Sequence, residues 1–171
     1  IASTILWNKL PKKESVAKNC GKRYNESVTS GQNLKKLALA RLRTAKILLS
    51  NNESDVAVYL LGYVVEFALK AIICKKLDLT TYPPVSEDWL EKTFKTHSFD
   101  ALLLLAGLSN KINANAPADL WYNWTELTKW RVDMRYDPIG TYKQSDVEEK
   151  IKALESKPNG LLTWIRRKKI W

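Results

Sequence analysis

The sequence predicts an all-α fold, an antiparallel bundle of four to five main helices. Three observations lead there. Apolar residues recur at spacings of three and four over long stretches, the mark of a helix with one buried face. No segment alternates convincingly with the period of two that a half-buried strand shows. Pro83–Pro84, Pro138 with Gly140, and Pro158 with Gly160 punctuate the periodic stretches as loops and breaks.

The elements follow in order. Residues 1–30 are lysine-rich with little periodicity and read as a basic N-terminal arm with room for one short helix; residues 31–171 form a single bundle domain ending in a basic tail. In 33–50, Leu34, Leu37, Ala38, Ala45 and Leu48 line one helix face. Arg41 falls inside that stripe, either snorkelling from its edge or reaching a buried carboxylate. Asn52 and Asp55 are placed to cap the next helix reciprocally. Residues 55–77 then run for about six turns with apolar residues around most of the circumference, as in a central helix packed on several neighbours. Only a narrow stripe of Asp55, Tyr59, Gly62, Glu66 and Lys70 interrupts them. Gly62 costs about 1 kcal/mol of helix propensity and suggests a close approach by another helix or a second subunit, the competing reading being a merely tolerated glycine.

After Pro84, SEDWLEKTFK (86–95) reads as a short helix. His97 and Ser98 lead into FDALLLLAGL, a buried helix stopping near Gly107. Residues 118–135 read as a Trp-rich helix with Trp121, Trp124 and Thr128 on one side, ended by DPIGTY. Ser145 and Glu148 suggest a capping box for the last helix, which breaks at Pro158 and Gly160 before LLTWIRRKKIW.

Composition narrows the function. A chain of 171 residues with 45% apolar content fits one domain with a sizeable core. Apolar runs such as ALLLLAGL are too short to cross a bilayer, and no basic-then-apolar leader opens the chain, so a cytoplasmic protein without a transmembrane segment is expected. Cys20 and Cys74 give no disulfide framework. One histidine, His97, and no paired cysteines exclude a His-rich metal centre, and no cofactor motif is present. Net charge is +10, distributed as +9 over residues 1–50, −3 over 51–142 and +4 over 143–171. Such a field favours an anionic partner: nucleic acid, a nucleotide or an acidic protein.

Three stretches in this order carry a family resemblance: YLLGYVVEFALKA (59–71), THSFDALLLLAGL (96–108) and the W…RYDP segment ending at Pro138. Together they resemble the HEPN family, the nucleotide-binding domains of higher eukaryotes and prokaryotes, over roughly residues 34–165. The resemblance implies a helical bundle that often forms a homodimer. It also implies a setting in toxin–antitoxin, phage-defence or RNA-processing systems, as a ribonuclease, a nucleotide binder, or the companion of a nucleotidyltransferase-like antitoxin. The family's nuclease motif is an arginine, four to six residues, then a histidine. Here Arg131 is followed at that spacing by Tyr136 and Arg135 by Tyr142, so the chain is an atypical member by this pattern.

The chemistry of the residues points to an anion site more readily than to a nuclease. Arginine supplies permanent charge and bidentate donors for phosphate. Tyrosine is a poor base near neutrality, whereas histidine titrates there. The anion-binding candidates are Arg41, Lys70, Arg131 and Arg135, with Arg131 and Arg135 sharing a face if the helix runs that far. Glu66 is expected to orient one of these arginines, with Asp100 as a second carboxylate. The alternative is a metal-independent endoribonuclease using Arg131 and Arg135 with Tyr136, Tyr142 or His97; His97 otherwise caps a helix or packs a loop. A third reading is a non-enzymatic helical partner protein. Arg166, Arg167, Lys168 and Lys169, closed by Trp171, form a tail suited to gripping a nucleic-acid backbone and stacking on a base, and equally to docking on an acidic antitoxin-like partner or touching a membrane surface.

Overall fold

The computed structural model describes residues 29–84 and 93–171. The N-terminal arm up to residue 28 and most of the expected 86–95 helix lie outside them. Six α-helices and no strand are present among the described residues, so the all-α class holds.

Helix α1 spans Gly31–Ser50. The Ser30 hydroxyl caps it by accepting the Asn33 amide at 3.2 Å. Leu34, Ala38, Leu42 and Ala45 form its buried face. Helix α2 (Ser54–Lys76) returns beside it after a three-residue connection and makes its largest packing with α1. Fifteen α2 residues are buried, Leu61, Leu69, Ile72 and Ile73 without residual exposure, which makes α2 the axis of the core. By length and composition alone α2 could cross a membrane, but 67% of its most apolar window is buried inside the fold, as in a core helix.

Asn52 and Asp55 do not form the expected cap. Asn52 adopts φ 62° in the tight turn between the helices, and Glu53 stands at the start of α2 without a side-chain cap. The Asp55 carboxylate instead reaches the loop 138–142, accepting the Gly140 and Tyr142 amides at 2.6 and 2.9 Å. Those two donors hold its pKa below 3.8.

Helix α3 (Phe99–Leu105) begins at Ser98, whose hydroxyl accepts the Ala101 amide at 3.3 Å, and it ends before Gly107 at φ 64°. Helix α4 covers Ala118–Thr128 only. The helix expected to reach residue 135 stops because Arg131 is extended (φ −135°, ψ 148°) and a 3₁₀ turn, Val132–Tyr136, follows. The tertiary reason is Trp130. Its indole donates to the Tyr59 carbonyl at 3.0 Å and stacks on Phe99 with centroids 5.2 Å apart. It also occupies the space over Gly62, where any Cβ would overlap the ring. The close approach anticipated at Gly62 is therefore made by a tryptophan of the same chain.

Helix α5 (Gln144–Glu155) starts one residue before the expected cap, and Asp146 rather than Glu148 returns its carboxylate to the Lys143 amide at 2.7 Å. After the break at Pro158–Gly160, α6 (Leu161–Arg167) buries Leu161, Leu162, Trp164 and Ile165. Helix α5 packs on α2 and α4, and α6 packs on α5 and α4.

Candidate anion site

The polar stripe of α2 becomes a buried network. Glu66 is 2% exposed. Its Oε1 accepts the Lys70 ammonium at 2.7 Å, one helical turn on, and its Oε2 lies 2.8 Å from His97 Nδ1. Lys70 also sits 5.1 Å from the centre of the Tyr82 ring. Tyr82 is anchored by donating its hydroxyl to the Phe94 carbonyl, and burial, then the Glu66 charge, pushes its pKa well above the usual tyrosine value.

This arrangement fixes the histidine. A carboxylate oxygen accepts, so the geometry suits an Nδ1–H of His97 directed at Oε2. In the neutral ring Nε2 then keeps its lone pair. The His97 side chain is half exposed, so a buried carboxylate orients a ring that meets solvent. Ser98, not His97, provides the α3 cap.

His97, Phe99, Asp100, Thr128, Trp130 and Arg131 line one depression of about 310 Å³. Two sequence features build it. The start of α3 at Ser98 brings His97 and Asp100 to the lining, and the segment after α4 brings Trp130 and Arg131. Arg131 Nε donates to Asp133 Oδ1 at 2.9 Å, and a terminal nitrogen lies 3.7 Å from Asp137 Oδ1. The Asp133 hydrogen bond holds the guanidinium above the usual arginine range.

The two arginines therefore part company. With α4 ended, they are not one turn apart on an α-helix. Arg131 borders the His97 depression; Arg135 lies 4.9 Å over the ring of Tyr136, and the hydroxyls of Tyr136, then Tyr59, raise its pKa. Neither pairs with Glu66, whose partners among the described residues are Lys70 and His97. The expected role of Glu66 is thus redirected from arginine to histidine, because His97 arrives at the α2 stripe through the 95–98 connection.

The remaining candidates are dispersed. Arg41 is partly buried on α1, away from the depression. Lys70 is held by Glu66 and Tyr82, leaving little of it for an outside anion. Tyr142 donates its hydroxyl to Asp137 at 2.6 Å, and burial followed by that bond pushes its pKa up to about 12, which disqualifies it as a base near neutrality. Tyr136 is 76% exposed. Of the basic tail, Arg166 and Arg167 complete α6. Trp171 folds back into partial burial beneath Lys35, 5.3 Å from its ring centre, rather than projecting as a stacking platform.

Sequence reasoning missed Asp133 and Asp137, the carboxylates that hold Arg131. Their alternation with arginine in RVDMRYD was the available signal. The fold and site define an all-α bundle whose buried carboxylate aims a histidine into an arginine-bordered depression. No family model, curated protein or solved structure matches the chain.

Proposed function

We propose that this chain is an RNA- or nucleotide-binding helical domain whose phosphate site is the His97–Arg131 depression. One observation supports this reading most: Glu66 Oε2, 2.8 Å from His97 Nδ1, holds the imidazole at the rim of a depression that Arg131 also borders. A phosphate seated there would have both an arginine and a histidine among the residues bordering it. The Arg131–Asp133 pair does not block the site. Both side chains are largely exposed, such pairs contribute little, and a phosphate competes for the same guanidinium. The +10 net charge draws polyanions to the surface. The HEPN resemblance of the α2 and α3 stretches points the same way.

A second reading, metal-independent RNA cleavage, is favoured by the tautomer alone. With Nδ1–H directed at Glu66, Nε2 would take the proton of a ribose 2′-OH as that oxygen bonds to phosphorus, the P–O5′ bond breaks and water protonates the departing 5′-oxygen, while Arg131 stabilises charge on the phosphate.

The experiment is incubation of mixed single-stranded RNA with wild type, Arg131→Ala and His97→Ala. Retention of intact RNA that weakens as salt rises, and is weaker in Arg131→Ala, is the expected result. Shortened RNA from the wild type that stays whole with His97→Ala moves the conclusion to the second reading. Equal RNA affinity for wild type and both variants overturns the site.

A further inference from the structure

The last helix carries a second basic surface that the depression above does not include. Lys111, Arg167, Lys168, Asn110, Asn115 and the edge of Trp164 border an open groove of about 590 Å³ between the 109–117 loop and the end of α6. Its charge is built rather than scattered. Arg167 donates a terminal N–H to Asn159 Oδ1 at 2.9 Å. Asn159, 8% exposed, is itself fixed: its amide donates to both Asp119 oxygens at 2.8 and 2.9 Å, and its carbonyl accepts from Asn123 at 3.0 Å. Asp119 is thereby engaged by an amide, and one side of the guanidinium is locked while the side chain stays exposed. Lys111 and Lys168 are exposed and have no acidic partner among the described residues.

We propose that this groove holds the sugar–phosphate backbone of single-stranded RNA, as a contact additional to the His97–Arg131 depression. The inference rests on the RNA reading and adds a second contact that makes affinity depend on strand length. Three cations without a bordering carboxylate suit consecutive phosphates, and the Asn110 and Asn115 amides add neutral donors of the kind that position a backbone. Trp164 is 4% exposed, so it offers no face for a base and the contact is indifferent to sequence. The same features disfavour a protein ligand. None of the large exposed apolar side chains (Ile47, Val56, Leu77, Leu104, Tyr122, Tyr136, Ile139) borders the groove, and a protein interface without an apolar anchor lacks its usual energetic centre.

The test measures anisotropy of fluorescein-labelled oligouridylates, a 20-mer and a 4-mer, over a salt series. The proteins are wild type, Lys111→Gln/Arg167→Gln/Lys168→Gln and Lys111→Gln/Lys168→Gln. The triple variant should bind the 20-mer at least tenfold more weakly. Its slope of log affinity on log salt should be shallower by about 2, from roughly 0.7 per lost phosphate contact. The double variant, which keeps the Arg167–Asn159 bond, should lose about 1.4 of slope. The 4-mer should be bound equally by all three. If the 20-mer keeps its affinity and slope in the triple variant, this groove is not an RNA contact, though the first depression can still be one. If the wild type binds neither oligomer, the RNA reading falls and this inference with it. A triple variant that has lost the wild-type far-UV circular dichroism is replaced by the double variant, whose unchanged slope also overturns the proposal.

Discussion

Glu66 and Arg131 each engage two polar partners a few residues or a helix away, yet the two clusters live in different physics. Glu66 is enclosed by α2, Tyr82 and the 95–98 connection. Its partners replace water it cannot reach, so the network is fixed and its loss is costly. Arg131 stands on the surface of a 3₁₀ turn, where water substitutes for Asp133 and Asp137 at little cost. A buried, satisfied group orients and an exposed, exchangeable one receives. His97 from the first cluster and Arg131 from the second line the same depression.

The contrast can be broken most forcefully at Glu66. Glu66→Ala leaves the Lys70 ammonium nearly buried without its carboxylate, and a loss of roughly 3–5 kcal/mol is expected in urea unfolding. A loss no larger than that of a surface substitution would mean that water reaches the network. Next comes the packing that ends α4. Gly62→Ala drives a methyl into the Trp130 indole and should cost about 1–3 kcal/mol. In a Trp130→Ala background the same change should cost clearly less, because the obstructing ring is gone; equal penalties would assign the glycine to something other than Trp130.

Asp55 sharpens the comparison at the exposed end. Its folded pKa is depressed below 3.8 by the Gly140 and Tyr142 amides. Its contribution is therefore complete above the unfolded value and fades as pH falls through the lower folded one. Asp55→Asn should cost about 1 kcal/mol at neutral pH and flatten the loss of stability on acidification below pH 4. An acid limb of unchanged steepness would show that the clasp does not persist in solution. The smallest effect on the fold belongs to Arg131→Ala, expected to leave the thermal midpoint unchanged while weakening RNA retention. A lowered midpoint would make Arg131 a structural residue.

How far the sequence could be read varies element by element. The α1 face was legible at Leu34, Ala38 and Ala45 because a helix places residues three and four apart on one side whatever it packs against. The α2 core was legible for the same reason, and the polar stripe contains Glu66, which the fold buries in a polar network. Its partner was not legible. Helical spacing says which way Glu66 points, but not which loop crosses there, and His97 is 31 positions away. The end of α4 was misjudged because nothing local stops a helix at Thr128. The stop comes from Trp130 filling the gap over Gly62, a contact 68 positions long.

The amino-acid sequence alone determined the helical class, the centrality of α2, the breaks at Gly107, Pro138 and Pro158, and a strongly basic balance. These follow from periodicity, backbone restriction and composition, which act within a few residues or need no geometry at all. Only tertiary structure decided that Glu66 serves a histidine, that Arg131 and Arg135 face different neighbours, and that Arg167 is locked by Asn159. Each of those depends on where connections of particular length set down distant side chains, and distances between such groups arise only when the helices pack.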